Sequence, residues 1–430
     1  MHMPPQLHQN FILAGQVLER LNPAGWPLRP EAFPEGTALV GGAVRDALLN
    51  RLGPRPDLDL VVNCDAIGFA KEASRRWGGT CVVLDADNGI ARLVIQGWTV
   101  DLATQEGGSL EADLGRRDFT VNAIALPLEE GASLVDPTGG LDHLQRGQLV
   151  AVQEANLVAD PLRLLRGLRL ASELGFELEP QSQVWIERHA ELLGNVAGER
   201  VLAELEKLAA APGGHRGLQA CQAMGLLKPW GADPLAQGRL QELSEQNARG
   251  RGLGTEELSW ALPLARLAAL FGRQALDGLR SSRRLQQRCH ALRHWQTAGP
   301  SGQLSETDQL RLHQELEADL PALLLYWPEV WAKAALDRWR DPADPLFHPR
   351  PPVDGMSIQD HLGLKPSRQL GELLHHLTLE RAFGRLPATP DPSAEEMSDV
   401  WACAKRWLEQ PATEEKAKTL GKRKESEKAP

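Results

Sequence analysis

The chain has no Cys-x-x-Cys pair; its five cysteines, Cys64, Cys81, Cys221, Cys289 and Cys403, are scattered. That excludes a clustered thiolate metal site and a disulfide scaffold, and the thiols read as reduced packing residues of a cytoplasmic protein. No segment approaches the roughly 18 apolar residues of a membrane-spanning helix. The opening MHMPPQLHQNFILAG has no basic stretch leading into a long apolar core, so neither a span nor a secretory leader is expected. Basic charge is not in excess: 47 Lys and Arg against 57 Asp and Glu give a net charge of −10. A nucleic-acid partner would therefore have to meet a local basic face. No repeat of fixed period is present.

What is present divides near residue 150. Before it, TALV (37–40), DLDLVV (57–62), TCVVLD (80–85), GIARLVI (89–95) and WTVDLA (98–103) read as short strands. DAIGFAKEASRRWGG (65–79) reads as a helix with a glycine stop. One sheet with helices packed on a face is expected. After residue 150, segments such as DPLRLLRGLRLASELG (160–175) place apolar residues at helical spacing, and the remainder follows in that style. The segment 412–430 is almost free of apolar residues and reads as a disordered charged tail.

Three stretches carry candidate chemistry. In TALVGGAVRDALL (37–49) a strand meets Gly41-Gly42 and then a helix start. Glycines let a backbone approach phosphate, a helix N-terminus supplies free N–H groups, and Arg45 one turn in can add a charged contact. A plain tight turn has the same look, and neither G-x-G-x-x-G nor G-x-x-x-x-G-K-S/T occurs there, which argues against dinucleotide and P-loop sites. Just beyond, Asp57 and Asp59 alternate with Leu58 and Leu60, so both carboxylates share one strand face. Crowded carboxylates repel unless a cation lies between them, and Mg²⁺ takes such oxygen ligands. Asp101 in WTVDLA offers a third carboxylate if its strand is a neighbour. Three acids can hold two ions about 3.5–4 Å apart. Taken alone, the Asp57/Asp59 pair reads better as the start of a solvent-facing edge strand, and the glycine turn beside it shifts the reading toward a metal site.

The second stretch is LGRRDFTVNAIAL (114–126). Arg116 and Arg117 suit a triphosphate; on a helix, Asp118 and Asn122 share a face and suit a ribose and its phosphates. A salt-bridged helix end is the competing explanation. The third is ADPLRLLRGLRL (159–170), with Asp160 at a helix start and Arg163, Arg166 and Arg169 at successive three-residue steps. Asp160 and Arg163 pair an acceptor with a donor fork, the equipment for reading the edge of a base. Taken alone, this stretch reads better as an N-cap aspartate with an i,i+3 ion pair.

Together and in this order, LVGGAVRDALL…DLDLVV, RRDFTVNAIA, VDPTGGLDHLQRGQLVAV and DPLRLLRGLRLASELGFELEP closely resemble the bacterial class II tRNA nucleotidyltransferase/poly(A) polymerase family. The match runs over about residues 37–211, with a weaker echo in VDGMSIQDHLGLKPSRQLGELL (353–374). The resemblance implies an α+β fold: a polymerase-β-like nucleotidyltransferase head, a small mixed sheet with helices, followed by an all-α neck, body and tail. On that layout residues 1–150 are the catalytic head, 151–211 the neck that recognises the base, 212–411 the tRNA-binding body and tail, and 412–430 the charged extension.

The resemblance also assigns roles. Asp57 and Asp59, with Asp101, match the family's metal and catalytic positions, implying two Mg²⁺ ions. Gly41, Gly42 and Arg45 match its phosphate turn, and Arg116, Arg117, Asp118 and Asn122 its ribose and triphosphate motif. Asp160 and Arg163 match the protein template for CTP and ATP, followed by Arg166 and Arg169. Glu199 and Arg200 fall in the next motif, which stabilises a helix. Ala159 stands where the family often has Glu, and Asp101 where many members have Glu. The segment DLATQEGGSLEADLGRR (101–117) is short; relatives often carry a longer flexible loop there, implicated in the change from adding C to adding A. The contraction resembles the CC-adding subtype, which implies a separate A-adding enzyme as functional partner.

The implied reaction is template-independent addition of C and A to the tRNA 3′ end from CTP and ATP, with pyrophosphate released. A poly(A) polymerase of the same family shares every motif, and a catalytically silent RNA-binding protein is the reading from another class. The strongest basic segment, LRSSRRLQQRCHALRHW (279–295), offers Arg280, Arg283, Arg284, Arg288 and Arg293 to tRNA phosphates. FHPR, DHLG and LHHL supply no paired His…His-Asp phosphohydrolase signature.

Overall fold

Alternating apolar and polar side chains build the sheet. In a computed structural model, which describes residues 5–297, 304–388 and 393–409, α1 (Pro5–Leu21) leads to β1 (Ala38–Val40), α2 (Gly42–Leu48), β2 (Leu58–Val62) and α3 (Ala66–Trp77). There follow β3 (Thr80–Asp85), β4 (Ile90–Ile95), β5 (Trp98–Thr104), α4 (Leu110–Gly115) and β6 (Ala125–Pro127). The expected charged extension, 412–430, lies outside the described residues.

The strands form one six-stranded mixed sheet in the order β3-β4-β5-β2-β1-β6. β2 and β5 run parallel, with α3 between them in the chain; β1–β2, β1–β6, β3–β4 and β4–β5 are antiparallel. α3 starts where the Asp65 carboxylate accepts the Gly68 N–H at 3.0 Å, and ends at Gly78 with φ 82°. Its small residues Ala66, Ala70 and Ala73 are buried, letting the helix lie close on the sheet. Beneath it sit Leu58, Leu60, Leu93, Val100 and Leu102, all at most 1 % exposed. Period-2 alternation then turns Asp59, Arg92 and Asp101 to the opposite face. There, Ala38, Val40 and Val61 pack with Leu114, Ala123 and Ala125. The β1–β2 side of that face is thus covered, while Val82 and Val94 on β3 and β4 are exposed.

The chain continues through α5 (Gly140–Arg146), α6 (Glu154–Ala159), α7 (Leu162–Leu174), α8 (Pro180–Arg188), α9 (Gly198–Ala210) and α10 (Gly214–Ala223). α7 packs on α9 and α10. One face of α7 buries Leu164, Leu165 and Leu168. Gly167 lets the helix meet Phe119: a Cβ there would lie 2.8 Å from Phe119 Cζ. The segment carrying Asp118 is thereby seated against α7.

The described residues fall into two compact units. The first runs to Gln241 and includes Gln274–Ser281; the second holds Glu242–Arg273 and the described residues from Ser282 onward. The boundaries expected at 150 and 211 both lie inside the first unit. The second unit has helices at Thr255–Leu270, Arg283–Trp295, Glu306–Leu316, Glu329–Trp339, Arg368–Ala382 and Ala394–Glu409, among others, and no strand among its described residues. The mixed-sheet head and the helical remainder are the α+β architecture expected.

Gly140 begins α5 against the Thr120 carbonyl, where a Cβ would lie 2.2 Å from the oxygen. A backbone carbonyl cannot swing aside as the end of a side chain can, so Gly140→Ala should destabilise by about 1–3 kcal/mol. Gly238→Ala, in helix Ala236–Glu242 with nothing within 4 Å of its Cβ, should instead be neutral or stabilising by up to about 1 kcal/mol. Denaturant unfolding of both variants checks the pair.

Candidate active site

The site begins where β1 ends. Gly41 has φ 74° and ψ −139°, a conformation that disfavours any residue with a Cβ. A Cβ there would also sit 3.1 Å from Asp59 Oδ2 and 3.9 Å from Arg117 Nη1. The turn is therefore glycine both for its backbone and for its approach to a carboxylate.

Strand register sets the acidic row. Val40 stands opposite Asp59, Asp59 beside Asp101, and Asp101 opposite Arg92. Asp57 lies one residue before β2 and is exposed. Burial, then repulsion from Asp101 and Asp57, pushes the Asp59 carboxyl up to about 6, with Arg117 and Arg166 pulling the other way. Asp101 does not complete a ready three-carboxylate cage. Arg92 holds it through Nε–Oδ1 and Nη2–Oδ2, both 2.7 Å, and among the described residues no three His, Cys, Asp or Glu side chains converge as a metal site. Asp57 and Asp59 still suit a hard divalent ion that completes its shell with substrate oxygens and water. Burial and the neighbouring carboxylates disfavour the ionised form of Asp59, which a cation beside it would offset.

Asp118 ties the segments together. Its Oδ1 accepts the Phe119 N–H at 2.8 Å and Asn122 Nδ2 at 3.2 Å, and its Oδ2 accepts Arg166 Nε at 3.0 Å. Burial works against the charge, but the Arg166 guanidinium and these hydrogen bonds hold the carboxyl below its ordinary range. Asn122 passes the connection on, its Oδ1 accepting Arg45 Nη1 at 2.7 Å. Asp118 and Asn122 do meet, but not on an α-helix: Phe119 is extended and Thr120–Asn122 is a single 3-10 turn, because the backbone also bridges to Ala151 at Phe119.

Several expected ligands are occupied by the protein itself. Arg45 is buried and clamped by Asp46 (2.8 and 3.0 Å) as well as Asn122. Arg116 pairs with Glu106 and Asp113. Arg169 is not part of the site; it is buried between Glu204 and Glu173, at 2.5 Å from each. Asp160 and Arg163 do not pair with each other. Asp160 is extended and α7 begins only at Leu162, after Pro161. Asp160 instead pairs with Arg200 at 3.1 Å, while Arg163 Nη1 donates to the Arg116 and Asn156 carbonyls at 2.8 and 3.1 Å.

Around these groups opens a pocket of about 230 Å³ lined by Arg117, Arg163, Arg166 and Arg200, by Asp118 and Asp160, and by Leu162. Arg117 is anchored by Asp113 at 3.0 Å. Its Nε is buried and makes no hydrogen bond among the described residues. Four guanidiniums against two carboxylates make the pocket a receptor for an anion that also presents a polar edge. Arg117 and Arg166 act electrostatically on Asp59 as well, so the pocket and the acidic row share charges.

Sequence reasoning missed Arg92 and the pocket-lining role of Arg200. It also missed Asn156, which donates to the Gly115 and Arg117 carbonyls at 2.9 and 2.8 Å. The first was within reach. The two-residue turn Gln96–Gly97, with φ 51° and 78°, pairs Ile95 with Trp98, and three residues outward Arg92 must face Asp101. The basic segment is less available than expected. Arg280 pairs with Glu199, Arg288 with Asp319, and Arg293 caps the Ala268 and Ala269 carbonyls. Arg283 and Arg284 are exposed.

A mixed sheet with a glycine turn packed against acidic strand ends, next to an arginine-rich pocket, defines a nucleotidyltransferase head. Residues 37–150 match the Poly A polymerase head domain family, and residues 175–230 the family described as probable RNA and SrmB- binding site of polymerase A. The chain is 35% identical over 384 residues to the CC-adding tRNA nucleotidyltransferase of Synechocystis sp., covering 82% of this chain and 91% of that one. It is 44% identical over 206 residues to the A-adding tRNA nucleotidyltransferase of Deinococcus radiodurans, 47% of this chain and 46% of that one. The fold is that of the Bacillus stearothermophilus CCA-adding enzyme in complex with CTP, with a TM-score of 0.66 at 23% identity over 95% of this chain and 100% of that one. The chain belongs to the tRNA nucleotidyltransferase/poly(A) polymerase family.

Asp59 makes a prediction about stability. Its carboxyl binds a proton more tightly folded (about 6) than at its ordinary value of 3.8. In the metal-free protein the folded state is thus favoured at low pH, and that advantage is lost as pH rises from about 4 through 6. Asp59→Asn removes the charge permanently. In EDTA at pH 8 it should raise stability by up to roughly 3 kcal/mol, and the gain should vanish near pH 4. Unfolding measured across pH checks both the size and the window.

Proposed function

We propose that the protein adds the terminal C and A residues of CCA to tRNA by transferring nucleotides from CTP and ATP without a nucleic-acid template. The observation that carries this is the pocket of four arginines and two aspartates beside the Asp57/Asp59 pair. The tRNA 3′-hydroxyl attacks the α-phosphate, and pyrophosphate leaves. Mg²⁺ held by Asp57 and Asp59, with Asp101 as a further ligand and two ions in all, would lower the hydroxyl's pKa and offset charge as the phosphate is transferred. The chain's own residues do the rest. Arg117 and Arg166 take the phosphates by charge-assisted hydrogen bonds. The Gly41-Gly42 turn lets backbone approach them.

Asp160 and Arg163 select the base. Cytosine and adenine both present an exocyclic amine at the polar edge, whereas uracil and guanine present a carbonyl there. An ionised Asp160 accepts from an amine and faces a carbonyl unpaired, which is how a site rejects an analogue strongly. Arg163 Nη1 is fixed by two carbonyls, leaving its other N–H groups as donors held in position.

A reading in which only C is added is favoured by one observation: β5 and α4 are joined by residues 105–109 alone, the place where relatives often carry a longer loop. In that case a separate A-adding enzyme completes the end. The exposed Arg283 and Arg284 and the region 175–230 are the surfaces we assign to tRNA. We place the reaction in the cytoplasm; no described helix is long and apolar enough to cross a membrane.

The test uses purified protein, Mg²⁺ and one tRNA ending before CCA, after C and after CC, each given CTP, ATP or both. Completion to CCA supports the full activity. Arrest after CC, with no A added to the CC-ended tRNA, establishes the CC-adding form. Long A tracts on other RNAs would make it a poly(A) polymerase, and no incorporation would leave an RNA-binding protein. Asp57→Ala should abolish transfer, and Asp160→Ala should admit UTP and GTP.

A further inference from the structure

The reaction as proposed leaves one ion pair without a task. Arg92 and Asp101 form a two-pronged pair, both prongs 2.7 Å, in which each carboxylate oxygen accepts one guanidinium N–H. Exposed Arg–Asp pairs ordinarily contribute little. This one differs in its place. The register puts Arg92, Asp101 and Asp59 in a single row across three neighbouring strands, on the face that also receives Asp57. The guanidinium therefore supplies the positive charge that crowded carboxylates need when no metal is present.

Its surroundings leave it free to move. The Arg92 side chain is 44% exposed. Its cross-strand neighbour on β3 is Val82, and Val94 follows on the same face; both are exposed and neither offers an alternative anion. Asp101 is its one hydrogen-bond partner among the described residues.

We propose that Arg92 is a resident counter-cation of the acidic row, which occupies Asp101 in the absence of metal and must be displaced before Asp101 can serve as a ligand. Arg92 then sets the affinity for divalent ions and makes Asp101 the last carboxylate recruited. The opposite role, in which Arg92 merely orients Asp101 for the metal, is disfavoured because a guanidinium on both oxygens of a ligand repels the incoming ion. The inference rests on the metal-dependent transferase reading above and adds a residue to it.

The test is Mn²⁺ titration by calorimetry of the full chain, without RNA or nucleotide, in wild type, Arg92→Gln, Asp101→Asn and the double variant. Arg92→Gln should bind Mn²⁺ about tenfold more tightly than wild type, and Asp101→Asn should erase that gain. Thermal unfolding gives a second readout. In EDTA Arg92→Gln should unfold at a lower temperature than wild type, and added Mn²⁺ should raise its midpoint by more. Arg92→Lys, which keeps the charge without the fork, should fall between the two. Equal or weaker Mn²⁺ binding by Arg92→Gln overturns the proposal, as does a gain that persists in the double variant. A protein that transfers nucleotides yet fails this test loses only the role of Arg92; one that transfers none loses the transferase reading itself.

Discussion

One buried carboxylate decides how the site holds together. Asp118 is 7% exposed, yet it stays ionised because the Arg166 guanidinium, the Phe119 N–H and the Asn122 amide all donate to it. Through Asn122 it reaches Arg45 in the helix after the glycine turn; through Arg166 it reaches the helix that lines the pocket. A buried charge with all its partners present is tolerable, and the same charge with one partner removed is costly. The sheet side and the helical side of the site are therefore fixed relative to each other by a group that neither can easily lose.

The acidic row is the opposite case. Asp57, Asp59 and Asp101 are brought close by strand register, and Asp59 is raised to about 6 by burial and its neighbours. Nothing in folding favours that crowding. It is a local conflict of the kind found where chemistry is done, and it is offset only in part, by Arg117, Arg166 and Arg92. The contrast is instructive. Asp118 is a carboxylate that the protein satisfies itself, whereas the arginines near Asp59 relieve its crowding only in part.

Much of this was legible in the sequence. Five of the six strands of the first part followed from short runs bounded by turns, and the α3 helix from its apolar spacing and glycine stop; the short β6 did not. The Asp57/Asp59 face followed from alternation alone. The family order of the motifs then supplied the architecture. What did not emerge were side-chain partners that depend on segments far apart in the chain. Asp160 pairs with Arg200, forty residues later in the chain, rather than with its helical neighbour, because Pro161 keeps Asp160 outside the helix. Arg169 sits in the same arginine series as Arg163 and Arg166, yet Glu204 on α9 draws it into the core. Arg45, beside the glycine turn where phosphate is expected, is enclosed by Asp46 and Asn122. Local spacing cannot tell an arginine that meets a ligand from one that meets a carboxylate on another helix. The Arg92–Asp101 pair is different in kind, because the two-residue turn at Gln96–Gly97 and simple register outward from it set Arg92 opposite Asp101.

The claim that Asp118 couples the two sides of the site is tested most directly by a double-mutant cycle between Arg45→Met and Arg166→Met, read as unfolding free energies in denaturant. The two arginines are joined through Asn122 and Asp118. If that chain carries energy, the double variant should cost less than the two single changes added together, by about 1 kcal/mol or more. Costs that add to within about 0.5 kcal/mol would show two independent contacts and contradict the account.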